Sequence, residues 1–191
     1  MSSKNFYFIS GIAAILSALF TIIPTFVSVP DPDAGFMPFL SDLSESLSYL
    51  LFILVIWALF RLYSSVARTL SLTALILCIG GTVITIIAIY FYRWILWIPG
   101  DFLGNRMPIL LFGILMYRNA QLGMPRILGA IGIFSTVLWI IHLIDKFISI
   151  IDISGLTFIT TPLSFYLLLA WLVWTGVILL SGKLQVSVVK E

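Results

Sequence analysis

Charge is the scarcest thing in this chain. Of its 191 residues only 9% are Asp, Glu, Lys or Arg, where soluble domains carry about 25%. With so little polar surface the chain could not stay dissolved in water, so lipid is read as the solvent for much of it. Cysteine is nearly absent as well. Cys78 stands alone in the apolar run SLTALILCIGGTVITIIAIYF, and one thiol closes no internal disulfide and builds no thiolate metal site. We read it as a small core residue. Histidine is also single: His142 cannot by itself supply bis-histidine haem ligation, a His-rich metal site or an HExxH helix. There is no glycine-rich phosphate loop, and the pairs Ser10–Gly11, Ser154–Gly155 and Ser181–Gly182 lie in no GxSxG elbow. A formal charge of +2 is too small to argue for nucleic acid. No cofactor, metal ion or nucleic-acid partner is expected.

What the chain has in abundance is apolar length. Hydrophobic residues make up 61% of it, and the mean hydropathy is +1.18. A helix crossing a ~30 Å hydrocarbon core needs about 20 mostly apolar residues. The apolar runs cover about 6–27, 45–60, 70–90, 99–117, 127–144 and 159–180. They are too long for barrel strands, and lipid forces the backbone to satisfy its hydrogen bonds within each segment. The expected fold is therefore all-α: one domain over 1–191, an integral membrane bundle of six transmembrane helices. The first run follows Lys4 but is longer than a signal-peptide core and has no clear cleavage site, so it is read as a retained helix.

Orientation follows from the cations. With the N-terminus inside, Lys4, Arg61, Arg68, Arg118, Arg126, Lys183 and Lys190 fall inside, and only Arg93, Arg106 and Lys146 fall outside. Seven against three places both termini on the cytoplasmic side of a cell membrane. Tyr90, Tyr92, Trp94 and Trp97 form an interfacial belt where the third helix leaves the bilayer. Ser10, Ala14 and Ala18 form a small-residue stripe that lets another helix approach, and Gly80, Gly81, Gly129 and Gly132 read the same way. The connections 28–44, 91–106 and 145–158 are long and fall outside, whereas Leu62–Ala67 and Asn119–Pro125 are short and fall inside. Loops carry function more often than the helices that hold them, so the outer face is the place to look. Asp31-Pro32-Asp33-Ala34-Gly35 is turn chemistry rather than a calcium loop. Lys146–Ile153 is amphipathic enough to lie along the outer interface.

The fourth helix poses a physical problem. Arg106 lies twelve residues before Arg118, about 18 Å along a helix, which is less than the hydrocarbon thickness. Pro108 suggests a regular helix beginning near Asn105, with Pro99–Gly104 irregular. Such backbone survives at membrane depth only where protein or a water-filled cavity satisfies it. Ser41, Ser44, Glu45 and Ser48 share a face of the second helix; Ser135, Trp139, His142 and Lys146 share a stripe of the fifth, with Asp145 beside it. An ionisable residue within the membrane wants a partner, and Glu45, Asp101 and Asp145 are the candidates for Arg106. Arg106, Glu45, Asp101, His142 and Asp145 are thus the expected ligand-binding set, lining a polar pocket open to the outside. The alternative is that Arg106 snorkels to the headgroups while the acids are solvated loop charges.

The segment MPILLFGILMYRNAQLGMPRILGAIGIFSTV, residues 107–137, carries Gly113, Tyr117 and Arg118, a short polar turn, then Pro125, Arg126, Gly129 and Gly132. It resembles the fourth and fifth helices of an uncharacterised six-span prokaryotic membrane protein family, catalogued only as domain of unknown function 4386. The resemblance implies a fold and a topology and carries no activity. Three functions remain open. The first is a non-enzymatic membrane component binding a partner membrane protein, a second copy of itself or a lipid. The second is a small transporter or sensor using the outward-facing pocket around Arg106. The third is a membrane enzyme acting on a lipid, which needs two acids, or an acid and His142, within hydrogen-bond reach.

Overall fold

In the computed structural model the described residues are 3–27, 36–91, 94–119, 124–148 and 154–182. All their regular elements are helices: α1 Ser3–Val27, α2 Phe36–Tyr90, α3 Trp94–Asp101, a π-helical turn Phe102–Arg106, α4 Met107–Arg118, α5 Arg126–Ile148 and α6 Ser154–Leu180. Four stretches are long and apolar enough to cross a membrane: Lys4–Pro24, Phe39–Tyr90, Arg126–Ile144 and Ile159–Leu180.

Helix α2 is not one rod. Ala67 has φ −148° and ψ 66°, outside helical geometry. Tyr49 of the first half reaches Asp101, and Thr85 of the second half packs on Gly100. On a straight helix those two residues would stand about 54 Å apart, so the chain folds back at Ala67. The expected inner loop Leu62–Ala67 shrinks to this one non-helical residue. In the first turn after the break Ser71 donates back to the Ala67 carbonyl at 2.9 Å, which keeps its hydroxyl satisfied within the bundle. The expected outer connections shorten in the same way. Helix α2 is already helical from Phe36, where Ser46 donates back to the Asp42 carbonyl at 2.8 Å.

The 99–117 span departs most from expectation. Pro99–Gly104 is helical rather than irregular, and helix runs through from Trp94 to Arg118 by way of the π turn. Pro108 brings no N–H, and its ring presses on the carbonyl four residues back in an α-helix. That carbonyl belongs to Gly104, inside the widened turn. The turn divides the span into pieces of eight, five and twelve residues, so no single α-helix there reaches membrane length.

Polarity runs outward-apolar. On α5, Phe134 is 63% exposed, while its neighbours Ser135 and Thr136 are fully buried. Phe8, Ile76, Ile159 and Tyr166 also face out, and Ser10, Ser17, Thr85 and Ser164 face in. Water would reverse this arrangement; lipid favours it, because interhelical hydroxyls find partners only inside the bundle. The core is built from Phe52, Tyr63, Phe112, Met116, Met124, Leu128, Trp171 and Leu172. Three glycine contacts bring backbones together. A Cβ on Gly11 would lie 2.9 Å from the Gly176 carbonyl, and one on Gly113 would lie 2.9 Å from the Gly129 carbonyl. One on Gly81 would run into the backbone of Leu103 and Gly104. The last contact seats the π turn directly on α2.

Candidate functional site

The π turn determines which side chains meet. In an α-helix, residues five apart point about 140° away from each other. Here the Met107 N–H reaches the Phe102 carbonyl, five residues back, so the ring closes over one more residue than usual. Asp101 and Arg106 are thereby brought onto one face. Arg106 Nε stands 3.7 Å from Asp101 Oδ2, and both residues are buried, at 6% and 4% exposure.

Each member of the pair has further partners. Asp101 Oδ1 accepts from the Tyr49 hydroxyl at 2.6 Å and from Asn105 Nδ2 at 3.2 Å. Arg106 Nη1 donates to Ser135 Oγ at 3.2 Å and approaches Ser164 Oγ at 3.5 Å. Ser135 in turn donates to the Ser164 carbonyl at 2.9 Å, tying α5 to α6 beneath the guanidinium. The Arg106 carbonyl accepts from Thr136 Oγ1 at 3.2 Å. The Trp139 ring lies parallel to Phe102, with centroids 5.6 Å apart, and the Arg106 guanidinium carbon sits 5.5 Å from the same indole. Arg106 Nε is buried without a hydrogen bond, so the carboxylate attracts it without engaging it.

A cavity of about 270 Å³ opens beside this pair. Its wall comes from Thr21 and Pro24 of α1, Glu45, Ser48 and Tyr49 of α2, and Trp97 and Asp101 of α3. Asn105 and Arg106 of the π turn, Trp139 of α5, and Phe165 and Leu168 of α6 complete it. Glu45 Oε1 accepts the Trp97 indole N–H at 2.9 Å. Hydroxyls line the α1–α2 seam: Thr21 and Ser48 lie 2.7 Å apart, and Ser48 donates to the Ser17 carbonyl at 3.0 Å.

Of the residues singled out from the sequence, Arg106, Asp101 and Glu45 share this cavity. His142 does not line it. Its Nδ1 lies 2.8 Å from Thr161 Oγ1, linking α5 to α6 nearer the end of α5. The side chain of Asp145 and the connection containing Asp31 and Asp33 lie outside the described residues, as does most of the amphipathic stretch at 146–153. Sequence reasoning missed Tyr49, Ser164 and Phe165, and treated Trp97 only as a belt residue. Tyr49 was within reach, since it stands one turn after Glu45 on the same face. Ser164 was the one serine or threonine in an otherwise apolar and aromatic stretch of α6, from Leu163 to Val173.

The fold and the buried ion pair define a helical membrane protein with a polar cavity held inside its bundle. No protein-family model, curated protein or solved structure matches the chain.

Proposed function

We propose that this chain is a six-span protein of the cell membrane, both termini cytoplasmic, whose outward-facing cavity binds a small ligand for transport or sensing. The observation that carries the reading is the buried Arg106–Asp101 pair on the wall of a 270 Å³ cavity. Charges at membrane depth are costly and persist where they serve a pathway or a ligand. A cavity walled by aromatic rings with a few converging polar groups is the usual form of a small-molecule site. Six crossings follow if the two halves of α2 and the continuous helix 94–118 each span the bilayer.

The partner-binding reading rested on small-residue stripes. Ser10, Ala14 and Ala18 are buried, and Gly81, Gly129 and Gly132 make their close approaches within the chain itself, while Gly80 meets nothing within 4 Å. All of these positions but Gly80 are therefore engaged without a partner. The enzyme reading asks for two acids, or an acid and His142, within hydrogen-bond reach; Glu45 and Asp101 line the same cavity, and their bonds run instead to Trp97 and to Tyr49 and Asn105.

The test is accessibility. In a Cys78→Ala background, Ser48→Cys would be treated in intact cells with a charged thiol reagent that cannot cross membranes. Labelling from outside is expected. Labelling only from the cytoplasmic side would overturn the orientation. No labelling from either side, with an exposed control cysteine labelled, would overturn the water-filled cavity.

A further inference from the structure

Three charged side chains line the cavity: Glu45, Asp101 and Arg106. Asp101 and Arg106 face each other at 3.7 Å and cancel formally. Glu45 is left over, so the described wall carries a formal charge of −1. Glu45 makes no ion pair with any described residue. Its Oε1 takes the Trp97 N–H, and its Oε2 has no hydrogen-bond partner among the described residues. It is held in place by one neutral donor, with its charge uncompensated.

The surroundings of Glu45 are aromatic. Tyr49, Trp97 and Phe165 line the same cavity, as does Trp139. Ring faces attract cations, and more strongly where water is excluded. Quaternary and protonated amines are recognised by this combination of ring faces and one carboxylate. A bare alkali ion fits worse: it needs a tight cage of oxygens, and 270 Å³ is room for roughly nine waters at ~30 Å³ each. That volume also falls just under the ~300–1,000 Å³ of ordinary small-molecule sites, which restricts the ligand to a compact molecule. An anion would have to bind Arg106 beside two carboxylates.

We infer that the cavity binds a small organic monocation, a quaternary or protonated amine, with Glu45 as its counter-charge and the rings of Tyr49, Trp97 and Phe165 around its alkyl groups. This rests on the ligand-binding reading above and specifies its ligand. Arg106 and Asp101 serve as the positioning pair that closes the inner wall of the site.

The experiment uses the full-length protein in detergent micelles and three probes of one shape, titrated calorimetrically. They are choline, the uncharged alcohol in which carbon replaces the choline nitrogen, and the matching carboxylate, tert-butylacetate. Choline is expected to bind at least tenfold more tightly than either of the others. Glu45→Gln keeps an acceptor for Trp97 and is expected to weaken choline at least tenfold, with an unchanged melting temperature. Asp42→Asn, one turn away and outside the cavity wall, is expected to change it less than twofold. Equal binding of choline and the alcohol overturns the cation assignment. Preferential binding of the carboxylate, lost in Arg106→Gln, overturns it too but leaves a ligand-binding cavity standing. Binding of none of the three overturns both this inference and the reading it rests on.

Discussion

Arg106 Nη1 lies 3.2 Å from the Ser135 hydroxyl, while Arg106 Nε comes no nearer than 3.7 Å to Asp101. The cation is gripped by neutral oxygens and only balanced by the carboxylate. Removing one charge of such a pair leaves the other buried without compensation, at a cost of about 3–5 kcal/mol. Removing both avoids that cost. Asp101→Asn and Arg106→Gln are each expected to lower unfolding stability by about 3 kcal/mol in micelles, and the double variant by much less than their sum. Strict additivity would mean that the two charges do not see each other.

Tyr49 ties the first half of α2 to α3 through its 2.6 Å bond to Asp101 Oδ1. Tyr49→Phe keeps the ring and removes the donor to a charged acceptor. A loss of about 1–2 kcal/mol is expected, since such bonds exceed neutral ones, and polar contacts in membranes rarely exceed that range. Tyr166, which is exposed on α6, gives the control: Tyr166→Phe is expected to leave the unfolding midpoint unmoved. Equal effects would deny Tyr49 its role.

Two adjacent glycines separate packing from propensity. A Cβ on Gly80 meets nothing within 4 Å, whereas one on Gly81 collides with the backbone of the π turn. Gly80→Ala is expected to stabilise by about 0.5–1 kcal/mol through helix propensity. Gly81→Ala is expected to destabilise by about 1–3 kcal/mol or more, because backbone cannot move aside as a side-chain tip can. Thermal melts of the two variants should shift in opposite directions; a shift in the same direction would place the turn away from α2.

The difference between those glycines also shows where sequence reading ran out. Gly80 and Gly81 carry the same spacing signal, and only the packed helices distinguish the lipid-facing one from the one in contact. The apolar runs of α1, α5 and α6 were legible because hydrocarbon thickness sets their length. Arg106, Asp101 and Glu45 stood out because charge inside an apolar stretch is costly. What could not be read was the partner of Arg106. Glu45, Asp101 and Asp145 were equal candidates, and the choice depended on a rotation of about 140° imposed by a π turn that no residue pattern announces. On α5, Ser135 and Trp139 were correctly grouped, but the same stripe continues to His142, which has passed the cavity and bonds Thr161.

The π turn acts as a one-residue insertion, and this makes a sharp prediction. Five residues across it do what four do across an α-turn, so Asp101 and Arg106 would remain on one face if one residue were taken out. Leu103 is the residue to remove, because Phe102 stacks on Trp139 and Asn105 bonds Asp101. The restored α-turn would bring the Pro108 ring against the Gly104 carbonyl, so the deletion is paired with Pro108→Ala. The combined variant is expected to fold as a monodisperse protein within about 2 kcal/mol of the parent, since both flanking helices keep their faces. Deleting Leu110 instead rotates everything before it by about 100° against the rest of α4. That turns Arg106 away from Ser135 and Ser164, and the variant is expected to aggregate on extraction. Equal tolerance of the two deletions would mean that the wide turn has no part in aligning the charged pair.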